Sequence, residues 1–184
     1  MGNAQADRPE RSTALVAREL ACYIAALSET RLADEGQLTE EGGGYCFFWS
    51  GRSSEERRES GVGFTVKSHL VQKLTSLPKG HSDCLMSMQL PLSKEHNATL
   101  ISAYAPTMTN PDEVKEKFYE ELDTLISSVP KSDKMFILGD FNARVGTDHQ
   151  TWNGTIGKHG TGKANSNGLL LLQLCIAHDL TITN

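Results

Sequence analysis

The chain has 184 residues, enough for one domain with a real core and too few for two comfortable ones. Its 38% hydrophobic and 22% charged residues match a globular protein, and a net charge of -5 excludes a strongly basic nucleic-acid binder. That charge leaves room for an enzyme that touches a backbone locally or through a metal ion. No apolar run is long enough to span a membrane and no apolar segment follows Met1 as in a secretory signal, so an intracellular protein without a membrane partner is expected.

In chain order, the first ten residues are small and polar and read as a disordered tail ahead of one domain from Arg11 to Asn184. Arg11 to about Cys22 reads as a helix, with Ser12 or Thr13 as N-cap and Leu15, Val16 and Leu20 on its apolar face. Tyr23 to Leu27 reads as a short buried strand ending at Ser28-Glu29-Thr30-Arg31. No Gly, Pro, Asn or Asp separates that helix from that strand, a junction tight enough to be expected of a deletion. After Gly42-Gly43-Gly44, Tyr45 to Ser50 is an aromatic strand. Arg52 to Ser60 reads as a solvated hairpin connection and Gly61 to Lys67 as the returning strand. Cys84 to Leu92 alternates as a half-buried strand, and Thr99 to Tyr104 is a strand stopped by Ala105-Pro106.

Pro111 to Ser128 is the strongest helix. Asn110 suits its N-cap and Pro111 its first position, and Val114, Phe118, Leu122 and Leu125 share a face. Met135-Phe136-Ile137-Leu138 reads as a buried strand that runs into Gly139-Asp140-Phe141-Asn142. An extended chain there would project Asp140 and Asn142 to one side and Phe141 to the other. A Gly-rich loop follows from Gly146 to Lys163, then an apolar helix from Asn167 to His178, then the start of a strand at Leu180 to Thr183. The fold class expected is α/β (α+β), a largely antiparallel or mixed sheet system flanked by helices.

Three strand ends stand out: Glu29, Tyr104, and Asp140 with Asn142. A carboxylate at a strand end can hold a hard divalent cation through oxygen, and a second can orient or deprotonate a water. A phenol and an amide can bind phosphate oxygens as charge builds on them. That set suits metal-assisted phosphodiester hydrolysis. Taken singly, each residue also has an ordinary use: an exposed or capping carboxylate, a tyrosine packed at half depth. The four cysteines are scattered, with no Cys-x-x-Cys pair, and read as reduced small hydrophobes. Gly157 to Ala164 nearly matches a phosphate-cradling loop, but it lacks the terminal hydroxyl and has no strand before it.

Leu27-Ser28-Glu29-Thr30-Arg31, Tyr104-Ala105-Pro106 and Gly139-Asp140-Phe141-Asn142, in this order, resemble the endonuclease/exonuclease/phosphatase family. Asn142-Ala143-Arg144-Val145-Gly146, Asn167-Gly168-Leu169-Leu170-Leu171 and Leu180 to Asn184 resemble one subgroup of it. This subgroup holds non-LTR retroelement endonuclease domains and craniofacial development protein 2-like proteins. The resemblance covers about Arg11 to Asn184. It implies a two-sheet α/β sandwich with the site at one edge, a Mg²⁺ or Mn²⁺ cofactor and a DNA phosphodiester substrate, and a nuclear location would follow from it. By resemblance, Glu29 is the metal ligand and Tyr104 the phenol near the scissile phosphate. Asp140 positions or activates the attacking water, and Asn142 is the phosphate-side amide. Arg144 is a nucleic-acid contact or, equally, a surface salt bridge.

Two departures shape the expectation. The family's opening strand with its site Asn and its closing Asp-His pair have no counterpart here. His178-Asp179 has the reversed order at a helix end. The sandwich is therefore expected to be incomplete and the endonuclease impaired, since a lost proton-transfer or electrostatic group costs on the order of 10²-fold in rate. A catalytically inactive binding or regulatory module and a phosphatase of the same family are the alternatives.

Overall fold

A computed structural model of the chain describes residues 23–57 and 59–183. The expected tail, the expected first helix and the helix side of the tight junction lie outside the described residues. The chain divides into two units, Met1–Ala103 with Lys131–Gly139, and Tyr104–Pro130 with Asp140–Asn184.

The first unit begins with a four-stranded sheet of β1 (Ile24–Ser28), β2 (Glu35–Glu40), β3 (Tyr45–Ser50) and β4 (Val62–Lys67), in the order β1-β4-β3-β2. Every pairing in it is antiparallel. β3 and β4 are its interior because aromatic and β-branched side chains fit a pleated, buried surface. Tyr45, Phe47, Phe48, Val62, Phe64 and Val66 are all buried. β2 was not expected from the sequence. Its only large apolar residue is Leu38, and as the sheet's outer strand it alternates exposed and half-buried positions. The Gly-rich turn before β3 closes it into a hairpin, with Gly44 at a left-handed φ of 67°. A one-turn helix, α1 (Ser68–Val71), follows β4 and was also not foreseen.

A second sheet runs β5 (Lys79–Gly80), β6 (Leu85–Pro91), β7 (Asn97–Tyr104) and β8 (Lys134–Asp140), in the order β5-β6-β7-β8. β3 and β4 pack against β6, so the two sheets are stacked, and Met86, Met88 and Ile101 are buried in the second. Ser50 Oγ donates to the Ser82 carbonyl at 2.9 Å and Ser102 Oγ to that of Leu27 at 3.5 Å, which satisfies hydroxyls that burial would otherwise leave costly. The two-sheet α/β sandwich expected from the sequence is the observed fold class. In this second sheet one expectation fails: β8 is not a buried strand. It lies at the end of its sheet, and Phe136 is 52% and Leu138 37% exposed. An apolar run specifies that a strand forms but not how many neighbours cover it.

The second unit contains α2 (Asp112–Ser128) and α3 (Ser166–Ala177). Pro111 is the N-cap of α2, one position from its expected place. The buried face is Lys115, Phe118, Tyr119, Leu122 and Ile126, whereas Val114 is 44% exposed. The face is rotated because α3 supplies polar partners. Tyr119 donates its hydroxyl to the Asn167 carbonyl at 3.0 Å, and the Lys115 amine reaches Ser166 Oγ at 3.2 Å. An amphipathic tip and a long aliphatic stem bury well once the polar end is satisfied. Residues 180–183 form no strand. Their polar groups bond the loop before α3 instead, Ile182 N to the Thr155 carbonyl and Thr181 Oγ1 to that of Gly154, each at 2.8 Å.

Candidate active site

β7 and β8 end side by side: the amide of Ala105 donates to the carbonyl of Asp140 at 2.9 Å. Their close approach depends on Gly139, whose φ is 149° and where an added Cβ would stand 1.8 Å from the carbonyl oxygen of Ala103. Only glycine tolerates both conditions. The Gly of Gly-Asp-Phe-Asn thus brings the two strand ends together, and Tyr104, buried at 7% exposure, is the last residue of β7.

After Asp140 the chain leaves the extended conformation. Asn142 has a left-handed φ of 47°, and its amide donates to Asp140 Oδ1 at 2.8 Å, an Asx-type turn. The expected strand alternation therefore does not orient this pair. A turn does, and it points Asn142 Nδ2 at the carbonyl of Ala105, 2.8 Å away. Phe141 does turn elsewhere, meeting Phe118 edge to face at 6.5 Å. Asp140 is exposed, so its carboxylate faces solvent while one oxygen is held by the turn.

The segment after Asn142 is fastened to the start of α3. Asn165, the N-cap, accepts from Gly168 N at 2.7 Å and from Arg144 N at 2.9 Å. Arg144 Nε donates to the Lys163 carbonyl at 2.7 Å, so part of this guanidinium shapes the loop. Residues 157–164, which nearly match a phosphate-cradling loop, instead pack on this segment. A Cβ at Gly160 would lie 1.8 Å from the Gly146 carbonyl.

Glu29 belongs to the first unit, whereas Tyr104, Asp140 and Asn142 belong to the second, where Ala105, next to Tyr104 in the chain, bonds both Asp140 and Asn142. Glu29 (φ 52°), Arg31 (φ 54°) and Asp34 (φ 56°) are all left-handed, a conformation that costs a non-glycine residue about 1 kcal/mol or more and gathers at functional turns. The turn is pinned from outside: Thr30 N donates to the Gly61 carbonyl at 3.1 Å and Arg31 N to that of Ser60 at 3.0 Å. Arg31 also pairs with the Glu29 carboxylate at 3.0 Å, both side chains being well exposed.

Below this turn, Asp83 accepts from Arg52 Nε at 2.7 Å and from Ser60 Oγ. Burial pushes its carboxyl up, but these hydrogen bonds outweigh that and hold it below the ordinary carboxylate value. Burial raises the Cys175 thiol to about 11, in keeping with a small packed hydrophobe.

No cluster of three or more His, Cys, Asp or Glu side chains forms among the described residues. A Mg²⁺-like ion does not need one, since it keeps several waters and takes one or two carboxylates with substrate phosphate. The exposed carboxylate of Glu29 is of that donor chemistry. No helix among the described residues is long and apolar enough to cross a membrane.

Residues 1–164 match the model of the Endonuclease/Exonuclease/phosphatase family. The chain is 31% identical over 161 residues to Craniofacial development protein 2 of Bos taurus, covering 88% of this chain and 26% of that protein. It is 30% identical to the same protein of Tragulus javanicus, covering 88% of this chain and 27% of that one. The chain thus spans about a quarter of the length of the curated relatives it matches. In fold it is similar to the AP endonuclease LMAP from Leishmania major, with a TM-score of 0.59 and 13% identity, over 92% of this chain and 62% of that one. With the family model covering most of the chain and two relatives at this identity, the chain belongs to the endonuclease/exonuclease/phosphatase family.

Proposed function

We propose that this chain is a divalent-metal-dependent phosphodiesterase that acts on the DNA backbone. The observation that carries the reading is the turn at the end of β8. Asp140 and Asn142 are fixed to each other and to the end of β7, with Tyr104 beside them. Preorganised donors and carboxylates at a solvent-facing strand end are what in-line attack of water on a phosphodiester requires.

In this reading Glu29 would hold Mg²⁺ or Mn²⁺, and the ion would supply Lewis-acid stabilisation of charge on the phosphoryl oxygens. Asp140, with one oxygen held by the Asn142 amide, uses the other to orient a water and take its proton as the P–O bond forms. Asn142 offers an amide N–H to a non-bridging phosphate oxygen as its charge grows. Tyr104 places its hydroxyl near the scissile phosphate, and the leaving 3′ oxygen departs opposite the attacking water and takes a proton from solvent. Arg144 approaches the backbone of the nucleic acid from the neighbouring loop. A phosphatase acting on a phosphomonoester would use the same groups.

One observation favours a second reading, a weakened or inactive binding module: Arg31 pairs with the carboxylate assigned to the metal. The readings separate in an assay of supercoiled-plasmid nicking with Mg²⁺, with chelator, and with Asp140→Ala. The expected result is nicking that needs the metal and falls on the order of 10²-fold or more in the variant. Nicking equal in both proteins would remove Asp140 from the mechanism, and none in either would favour the binding module.

A further inference from the structure

The N-terminal turn of α3 does more than start a helix. Asn165 Nδ2 donates to the carbonyl of Asn142 at 3.0 Å, while its Oδ1 caps Gly168 N and holds Arg144 N. The backbone amide of Asn165 also donates to the Arg144 carbonyl at 2.9 Å. Two residues on, Asn167 is fully buried. Its Nδ2 donates to the Pro106 carbonyl at 2.8 Å and lies 3.4 Å from that of Asn142. The Asn167 Oδ1 is buried without a hydrogen-bond partner among the described residues. Gly168 completes the arrangement, because a Cβ there would stand 1.9 Å from the Arg144 carbonyl.

Both asparagines thus grip the outer side of the one turn whose inner side carries Asp140 and the Asn142 amide. Asparagine adopts the left-handed conformation more readily than other non-glycine residues, and the bonds to the Asn142 carbonyl add a hold from outside the turn. From this geometry we infer that Asn165 is a positioning residue: it fixes the Asn142 turn through the Asn142 carbonyl, and so aims the Asp140 carboxylate and the Asn142 amide at the phosphodiester. Asn167 is the second strap on the same carbonyl. The inference rests on the proposed reading of Asp140 and Asn142 as reacting groups, and it adds what places them. It touches no substrate atom and acts only through Asn142.

Asn165→Asp separates positioning from helix capping. A carboxylate caps as well as an amide, suits the positive end of the helix and can still accept from Gly168 and Arg144. It cannot donate to the Asn142 carbonyl, and it sets a repelling oxygen there instead. Wild type and variant are compared in Mg²⁺-dependent cleavage of a DNA duplex, in thermal melting, and in amide hydrogen exchange of Asn142 and of α3. We expect kcat to fall on the order of 10²-fold, with KM nearly unchanged and the melting temperature lowered by only a few degrees. The Asn142 amide should exchange roughly tenfold faster while the α3 amides keep their protection. An active wild type with an equally active variant overturns the inference. So does a loss of activity that merely follows a loss of melting temperature. If the wild type itself cleaves nothing, the proposed activity falls, and exchange alone decides on Asn165: an unchanged Asn142 amide overturns its role, and a faster one upholds it as the strap on that turn.

Discussion

At the scale of single residues, glycine and asparagine shape the site more than the carboxylates do. Gly139 is the sharpest case. A methyl group there meets the Ala103 carbonyl at 1.8 Å, and the backbone it would have to follow has a φ of 149°. Neither atom can move without parting β7 from β8. Gly139→Ala should therefore destabilise the protein by about 2 kcal/mol or more, and lower its melting temperature by several degrees. Calorimetry of the two proteins tests this, and equal melting temperatures would remove the close approach from the argument. The Gly-Asp-Phe-Asn string was legible because an apolar run that stops at a carboxylate marks a strand end. The direction of Asn142 was not. Alternation is a rule for extended chain, and Asn142 is left-handed, bonded to its neighbour two residues back. Asn165 and Asn167 could have been noticed as capping candidates just before an apolar helix. Their hold on Asn142 could not, since it joins residues more than twenty positions apart.

At the scale of elements, the turn that carries Glu29 depends on the connection between β3 and β4. The carbonyls of Ser60 and Gly61 receive Thr30 and Arg31, and Ser60 and Arg52 both donate to Asp83. Gly61 N adds a bond to the Asp83 carbonyl at 3.0 Å. The stretch from Arg52 to Ser60, expected as a solvated hairpin connection, is thus anchored at both ends through one aspartate. Asp83 is held below its ordinary value when folded, so the folded state binds its proton less readily than the unfolded chain does. Its stabilisation is complete above the unfolded value, near 4, and is lost as pH falls through the lower folded value. Asp83→Asn should cost about 1 to 2 kcal/mol at pH 7, and the gap from wild type should close as pH drops below about 4. Chemical denaturation across that range measures it, and a gap independent of pH would mean that the charge contributes nothing. β2 and β8 show what periodicity leaves open. β2 is polar, and it forms because β3 offers an edge with a tight Gly turn to close it. β8 is apolar and lies at the end of the sheet because strand order is decided by partners, not by its own hydropathy.

At the scale of the whole molecule, family membership was legible because three short motifs occur in one order. Their joint occurrence is far more specific than any one of them. Charge gave no help, since a chain at -5 does not attract a polyanion by its overall field. Under the proposed activity, a chain of this composition has to approach its substrate through local groups and a cation that offsets both partners' charge. Metal binding is therefore the property that tests the proposal for the molecule as a whole. An ion that binds the folded chain and not the unfolded one raises stability by RT ln(1 + [L]/Kd), about 2.7 kcal/mol at a hundred times Kd. Melting followed from micromolar to tens of millimolar Mg²⁺ should show a rise that grows with the logarithm of concentration once the site fills. Glu29→Gln should abolish the rise, because it removes the proposed ligand. Asp140→Asn should keep most of it, because the role proposed for Asp140 is toward the water. A rise of the same size in the Glu29 variant would place the ion elsewhere. A rise that Asp140→Asn abolishes and Glu29→Gln leaves intact would exchange the two roles. Calcium supplies the control: it shares the oxygen chemistry with looser geometry, so it should stabilise the fold while supporting cleavage poorly.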